Sequence, residues 1–128
     1  MSATWNGTAQ TLLAGTPGPE YLGTPAAVTL AAPGTVSAYG GGWFAKQSIG
    51  IGSVSLAVCY QDQSGPGPLT VFGTPTTISV NGSQVWHFAT GSVDLGAGTY
   101  NVGLCAQNLG VNSVNKNGET SGFVFVAP

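Results

Sequence analysis

Apolar and polar residues alternate along most of this chain, and glycine or proline interrupts each alternating run. A period of two places successive side chains on opposite faces of a strand, and no run keeps a helical period over three turns. With 21 Gly and 8 Pro in 128 residues, breakers are frequent enough to separate many short strands. The pattern predicts an all-β protein with strands near residues 3–6, 10–14, 26–31, 34–46, 51–61, 69–72, 76–80, 83–90, 98–107, 111–115 and 119–126.

Two Asn-Gly pairs predict tight hairpins, at Asn81-Gly82 and at Asn117-Gly118, because a type I′ turn needs positive φ at both central residues. A third signal, the glycine run 40–42, predicts a bulge or a bend in the surrounding strand. The first hairpin would carry apolar residues on both of its faces: Ile78, Val80 and Val85 on one, together with His87, and Trp86 and Phe88 on the other.

The last predicted strand is apolar on both faces. Alternation sends Phe123 and Phe125 to one face and Val124 and Val126 to the other. A small sandwich covers only the inward face of a strand, so the outward face needs another cover. We expect that cover to be a second copy of the chain, and the alternation alone leaves open which face is core.

The two cysteines lie in similar segments, each with an apolar residue before the cysteine and glutamine two positions after it. In both segments the large apolar residues occupy the face opposite the cysteine, so Cys59 and Cys105 could face each other on adjacent strands. We predict a disulfide that closes a loop of 46 residues; the alternative is two buried free thiols. Zinc is not expected, because it takes about four ligands and only His87 could join the pair.

Composition narrows the possible partners. Hydrophobic residues make up 42% of the chain, charged residues only 5%, and the net charge is −2 with no arginine. Phosphate binding needs clustered Lys and Arg, so no nucleic acid or anionic membrane is expected as a partner. Membrane insertion is not expected either, because no apolar run approaches about 20 residues. The length predicts a single domain over residues 1–128, with N-terminal strands and a loop in 1–25 and the main part in 26–128.

Candidate chemistry is sparse. The single histidine, His87, has no recognisable nucleophile motif beside it, and Asp62 and Asp94 are isolated loop acids, so we predict no enzyme activity, cofactor or metal. Tryptophans serve either as core and interface residues or as platforms for sugars. The residues that we expect to bind a glycan, if one binds, combine an aromatic face with polar groups: Tyr60, Asp62, Gln63 and Trp86.

Three segments resemble the trimeric jelly-roll heads of the complement/tumour-necrosis-factor superfamily, especially the bacterial versions that end collagen-like or fibrous proteins. They are Val28–Val36, Leu95–Val102 with its apolar-x-Gly-x-Tyr pattern, and Ser121–Phe125 with its Ser-Gly-Phe start. The low charge and the cysteine pair depart from the animal members.

The resemblance implies a two-sheet antiparallel jelly-roll sandwich that forms a homotrimer with Phe123 and Phe125 in its interface. It further implies a secreted or cell-surface module for trimerisation and adhesion. Some bacterial lectins are similar to the same family, so the alternative is a carbohydrate-binding protein with metal-independent sites between protomers.

Overall fold

A computed structural model describes residues 2–46, 50–65 and 67–128. Within this part of the chain the regular elements are nine strands and no helix. The strands are β1 (Ser2–Thr8), β2 (Glu20–Tyr21), β3 (Ala26–Leu30), β4 (Gly34–Phe44), β5 (Gly52–Asp62), β6 (Thr70–Val80), β7 (Val85–Leu95), β8 (Gly98–Asn108) and β9 (Glu119–Ala127).

The strands form two antiparallel sheets. The first sheet has the order β1-β9-β4-β7, and the second has the order β2-β8-β5-β6 with β3 also paired to β8. The chain crosses repeatedly between the sheets, so that β3 to β4, β6 to β7, β7 to β8 and β8 to β9 each change sheet. This strand order is that of a jelly roll. The prediction of an all-β, two-sheet antiparallel sandwich is confirmed.

The core lies between the two inner faces and is built from alternating residues. Val36 of the first sheet and Val54 and Val102 of the second are fully buried. On β9 the alternation separates Val124, which is 1% exposed, from Phe123, which is 47% exposed. The face that the sequence left undecided is therefore settled: Val124 and Val126 point into the sandwich, and Phe123 and Phe125 point out.

The Asn81-Gly82 prediction of a hairpin is wrong. This segment joins β6 of the second sheet to β7 of the first, so the two strands do not pair. Among the described residues no non-glycine residue has positive φ, and Gly82 is not among the glycines that do. Instead, the Asn81 side-chain oxygen accepts a hydrogen bond from the Ser83 amide at 3.0 Å. The local Asn-Gly signal marked a corner between sheets, a feature that sequence separation alone cannot distinguish from a hairpin.

The Asn117-Gly118 hairpin and the predicted strands near 10–14 and 111–115 are also wrong. Leu12 and Val114 form only an isolated bridge. Asn117 lies between these segments, and its amide donates to the carbonyls of Gln10 and Val114, each at 3.0 Å. The Gly118 amide donates to the Trp43 carbonyl at 2.9 Å. Isolated backbone bonds and the side-chain bonds of Asn117 take the place of the regular ladder that the alternation predicted.

The glycine run 40–42 does not interrupt β4, whose pairing to β7 is continuous from Gly34 to Phe44. The glycines make room for indole rings: a Cβ at Gly40 would lie 2.5 Å from Trp5 Cζ2. The irregularity lies instead in β5 and β6, where the register shifts between Leu56 and Val58. As a result, the strands predicted near 69–72 and 76–80 are the two parts of one strand, β6.

Candidate functional site

Cys59 and Cys105 form a disulfide, with an S–S distance of 2.00 Å and Cα atoms 5.9 Å apart. They lie on neighbouring central strands, β5 and β8. Both cysteines are fully buried in a small cluster with Ala57, separate from the main core and flanked by Tyr21, Leu69 and Val71. The predicted disulfide is confirmed. Its burial makes it a structural crosslink between the strands and not a reactive pair.

Three of the residues predicted to bind a glycan lie together at the end of β5. Tyr60 is partly buried between the rings of Phe72 and Tyr100, with both ring centroids 6.0 Å away. Asp62 accepts hydrogen bonds from the Ser64 amide at 2.9 Å and the Ser64 hydroxyl at 2.8 Å. These bonds lower the pKa of the Asp62 carboxyl, because they stabilise its charged form.

Gln63 is likewise engaged within the protein. Its amide donates to the Asn101 side-chain oxygen at 2.7 Å, and its backbone amide donates to the Thr99 carbonyl at 3.0 Å. The fourth predicted residue, Trp86, lies in the first sheet near the start of β7, whereas Asp62 ends β5 in the second sheet. Trp86 pairs with Trp43 near the end of β4, and the chain then passes to the start of β5 at Gly52. Trp86 therefore lies at the end of the sandwich where β5 begins, and Asp62 lies at the opposite end, where β5 stops. The structure thus brings three of the four residues together and separates the fourth.

The outward face of the first sheet carries a continuous set of aromatic rings. The strand registers place Thr4, Phe123, Tyr39 and Thr90 in one row across β1, β9, β4 and β7. Tyr39 stacks on Phe123 and on Phe88, with centroid distances of 5.8 and 5.6 Å and interplanar angles of 23°. Phe88 is nevertheless 55% exposed, and Phe123 and Phe125 are each nearly half exposed. We call Tyr39, Phe88, Phe123 and Phe125 the aromatic face.

Next to the aromatic face, the first sheet carries a cleft of about 370 Å³. Trp43 and Trp86 form one wall, with ring centroids 5.6 Å apart and an interplanar angle of 69°. We call this the indole cleft; its other lining residues are Asn6, Gly7, Thr8, Glu119, Thr120 and Ser121. The third tryptophan, Trp5, is buried in the core and belongs to neither surface.

Few charges face this surface. All outward positions of the four strands are described, and among them only Glu119 at one end and Asp94 at the other are charged. Asp94 accepts a hydrogen bond from the Thr35 hydroxyl at 2.6 Å. His87 points inward, with its ring centroid 6.2 Å from that of Phe44, and burial lowers its pKa. The middle of the face is therefore uncharged.

Sequence reasoning selected Trp86, Phe123 and Phe125 as candidate site residues; it weighed Trp43 without selecting it and missed Asn6 and Glu119. The missed residues become neighbours only through the pairing of β1 with β9 and of β9 with β4. Interpreting the glycine run 40–42 as an interruption hid the continuous β4, and with it the pairing of Trp43 with Trp86. Treating Thr35 to Phe44 as one strand with uninterrupted alternation of its two faces would have placed Trp43 on the same face as Tyr39.

Within the described ranges, no group of three or more His, Cys, Asp or Glu side chains is placed to hold a metal ion. Nor does any described segment form a helix long and apolar enough to cross a membrane.

Comparison with known proteins identifies no family: no family model and no curated protein matches the sequence. Among solved structures, the chain is similar to one in "Structure of infectious bursal disease virus Gx strain", with a TM-score of 0.47 and 11% sequence identity. The match covers 98% of this chain and 32% of that one, so this chain spans about a third of the viral chain's length. The jelly-roll assignment rests on the strand order of this chain itself.

Proposed function

We propose that this chain is a non-enzymatic extracellular module for assembly and adhesion, which forms a homotrimer through the aromatic face. The observation that carries the proposal is the stack of Phe88, Tyr39 and Phe123, which is ordered yet open to solvent. Monomeric soluble proteins rarely leave a large contiguous apolar patch uncovered, and such patches mark interaction sites. A second copy of the same chain could cover this patch, because its own aromatic face is equally apolar and uncharged.

The charge distribution supports self-association over a charged partner. The rows that hold the aromatic face contain no charged residue, and the rest of their outward positions are Ser, Thr, Gly or Asn. Two such faces can meet without burying an unpaired charge, which would cost several kcal/mol. Permanent interfaces are large and hydrophobic, like a domain core cut in half.

The trimeric state and the extracellular location follow from the resemblance to complement/tumour-necrosis-factor heads. Two of the three resembling segments fall on strands: Leu95–Val102 leads into β8, and Ser121–Phe125 lies within β9. A buried disulfide agrees with an oxidising compartment, since such bonds are rare in the cytosol. The trimer would display the loops at the ends of the sandwich for adhesion.

Native mass spectrometry and sedimentation equilibrium test the assembly. We expect a particle of about three times the 12.7 kDa chain mass. Phe123→Glu should disperse it, because the substitution places an unpaired charge in the contact. Thr77→Glu is the matched control, since Thr77 is an exposed strand residue of the second sheet.

A wild-type protein that stays monomeric at micromolar concentration would overturn the proposal. So would a Phe123→Glu variant that keeps the wild-type mass. Far-ultraviolet circular dichroism of both variants separates lost assembly from lost folding.

A further inference from the structure

The indole cleft has features that self-association does not explain. Self-association needs an apolar, uncharged surface, whereas this cleft has a carboxylate and an amide on its rim. We propose that the indole cleft binds a neutral hexose-containing carbohydrate, a site that does not depend on the proposed trimer.

The shape of the cleft comes from small residues between large ones. Gly41 and Ser121 occupy one row of the sheet, and Trp43 and Trp86 occupy the next. A Cβ at Gly41 would lie 2.5 Å from Trp86 Cζ2, so only glycine lets the Trp86 ring lie against the strand. The result is a groove with an aromatic wall, and its volume of about 370 Å³ is in the range of small-molecule sites.

The wall and the rim supply the two kinds of contact that a sugar needs. The C–H face of a pyranose packs on an aromatic ring, and Trp43 is 41% exposed. Across the cleft, Asn6 offers both a donor and an acceptor, Thr8 and Ser121 offer hydroxyls, and Glu119 offers acceptors. In the described part of the chain, none of these four side chains is engaged in a hydrogen bond with another protein group.

Charge determines which sugars fit. Of the described residues that line the cleft, only Glu119 is charged. Its carboxylate accepts hydrogen bonds from sugar hydroxyls and repels a ligand carboxylate or sulfate. The site should therefore prefer neutral hexoses over sialylated or sulfated glycans. Binding should also survive a chelator, because the described acids form no metal-binding group.

Saturation-transfer NMR with defined probes tests the site. The neutral probes are the methyl glycosides of glucose, galactose and mannose together with lactose, and 3′-sialyllactose is the anionic counterpart of lactose. We expect at least one neutral probe to bind and 3′-sialyllactose to bind more weakly than lactose. Trp86→Ala and Trp43→Ala should each weaken binding about tenfold or more, whereas Phe88→Ala, which alters a ring outside the cleft, should not.

The carboxylate is tested by Glu119→Gln, with Asp94→Asn at the far end of the same face as the matched control. Only Glu119→Gln should reduce the preference for lactose over 3′-sialyllactose. The proposal is overturned if no neutral probe binds the folded wild-type protein, or if binding persists unchanged in both tryptophan variants. The oligomer mass of each variant is measured in parallel, so a failure of the trimer with intact sugar binding contradicts only the assembly.

Discussion

At the residue scale, glycine determines how the first sheet accepts its large rings. Gly40 and Gly122 lie opposite each other on β4 and β9, and the inward Trp5 ring occupies the space where their side chains would be. On the outward side, Gly41 does the same for Trp86. Backbone conformation does not require glycine at these three positions, since none of them has positive φ. Glycine is required because the indole rings lie too close to the backbone for a Cβ atom, so a larger residue should disturb the packing of these rings.

Gly122→Ala should lower the free energy of unfolding by about 1–3 kcal/mol, as overpacking does in a filled core. The new methyl group would meet both the Trp5 ring and the Tyr39 carbonyl oxygen. Gly96→Ala is the matched control: nothing lies within 4 Å of its Cβ position, and its φ is not positive. Urea unfolding followed by tryptophan fluorescence measures both. Equal stabilities of the two variants would contradict the packing argument.

His87 makes stability depend on pH. Burial lowers its pKa in the folded protein below the ordinary 6.5, so between those two values the unfolded chain binds more protons. The free energy of unfolding should therefore be highest above pH 6.5 and fall as the pH drops through the folded pKa. Thermal unfolding from pH 7.5 to 5 measures this. His87→Gln should remove the dependence in that range, because His87 is the single histidine; an unchanged slope in the variant would refute the assignment.

At the element scale, the disulfide ties together two strands at the centre of the second sheet. β5 and β8 pair over the whole of their shared length, and the crosslink joins them across a separation of 46 residues. The outer side of this sheet has only a small apolar cluster around the bond. The covalent link therefore stabilises a region in which hydrophobic burial is limited.

Cys59→Ala combined with Cys105→Ala should reduce the stability of the oxidised protein by ~4 kcal/mol in the chain-entropy treatment of a loop of this length. Chemical unfolding in the absence of reductant measures the difference in free energy of unfolding between the wild type and the double variant. This difference should be smaller when the wild type is reduced. Two thiols titrating in the unreduced, unfolded wild-type protein would show that the bond does not form.

At the scale of the whole molecule, one sheet carries both proposed surfaces and the other carries the disulfide. The aromatic face occupies the middle rows of the first sheet, and the indole cleft lies in the two rows nearest the β6–β7 corner, so the row that holds Phe88, Ser121 and Asn6 is shared by both. Contact between copies through the middle rows would leave the cleft at the margin of the interface. With a net charge of −2, the molecule has little charge repulsion to oppose such contact.

The sequence by itself determined the features that depend on local alternation. It predicted the all-β class, the strands from Ala26 to Leu30 and from Glu119 onward, and the disulfide, because a period of two assigns each side chain to a face. It also assigned Trp86 and Phe88 to the face opposite His87, although the hairpin used for that argument does not exist. The face on which a side chain lies depends only on its own strand, whereas the pairing of a strand depends on which other strand lies beside it.

Tertiary structure alone decided which strands are neighbours and which apolar face is covered. The Asn-Gly signals are compatible with a hairpin and with a corner, and only the distribution of strands between sheets distinguishes them. The indole cleft joins Asn6, Trp43, Trp86 and Glu119, residues separated by up to 113 positions, through the β1-β9-β4-β7 order. Such long-range registers are set by the packing of the complete sandwich, so no local pattern contains them.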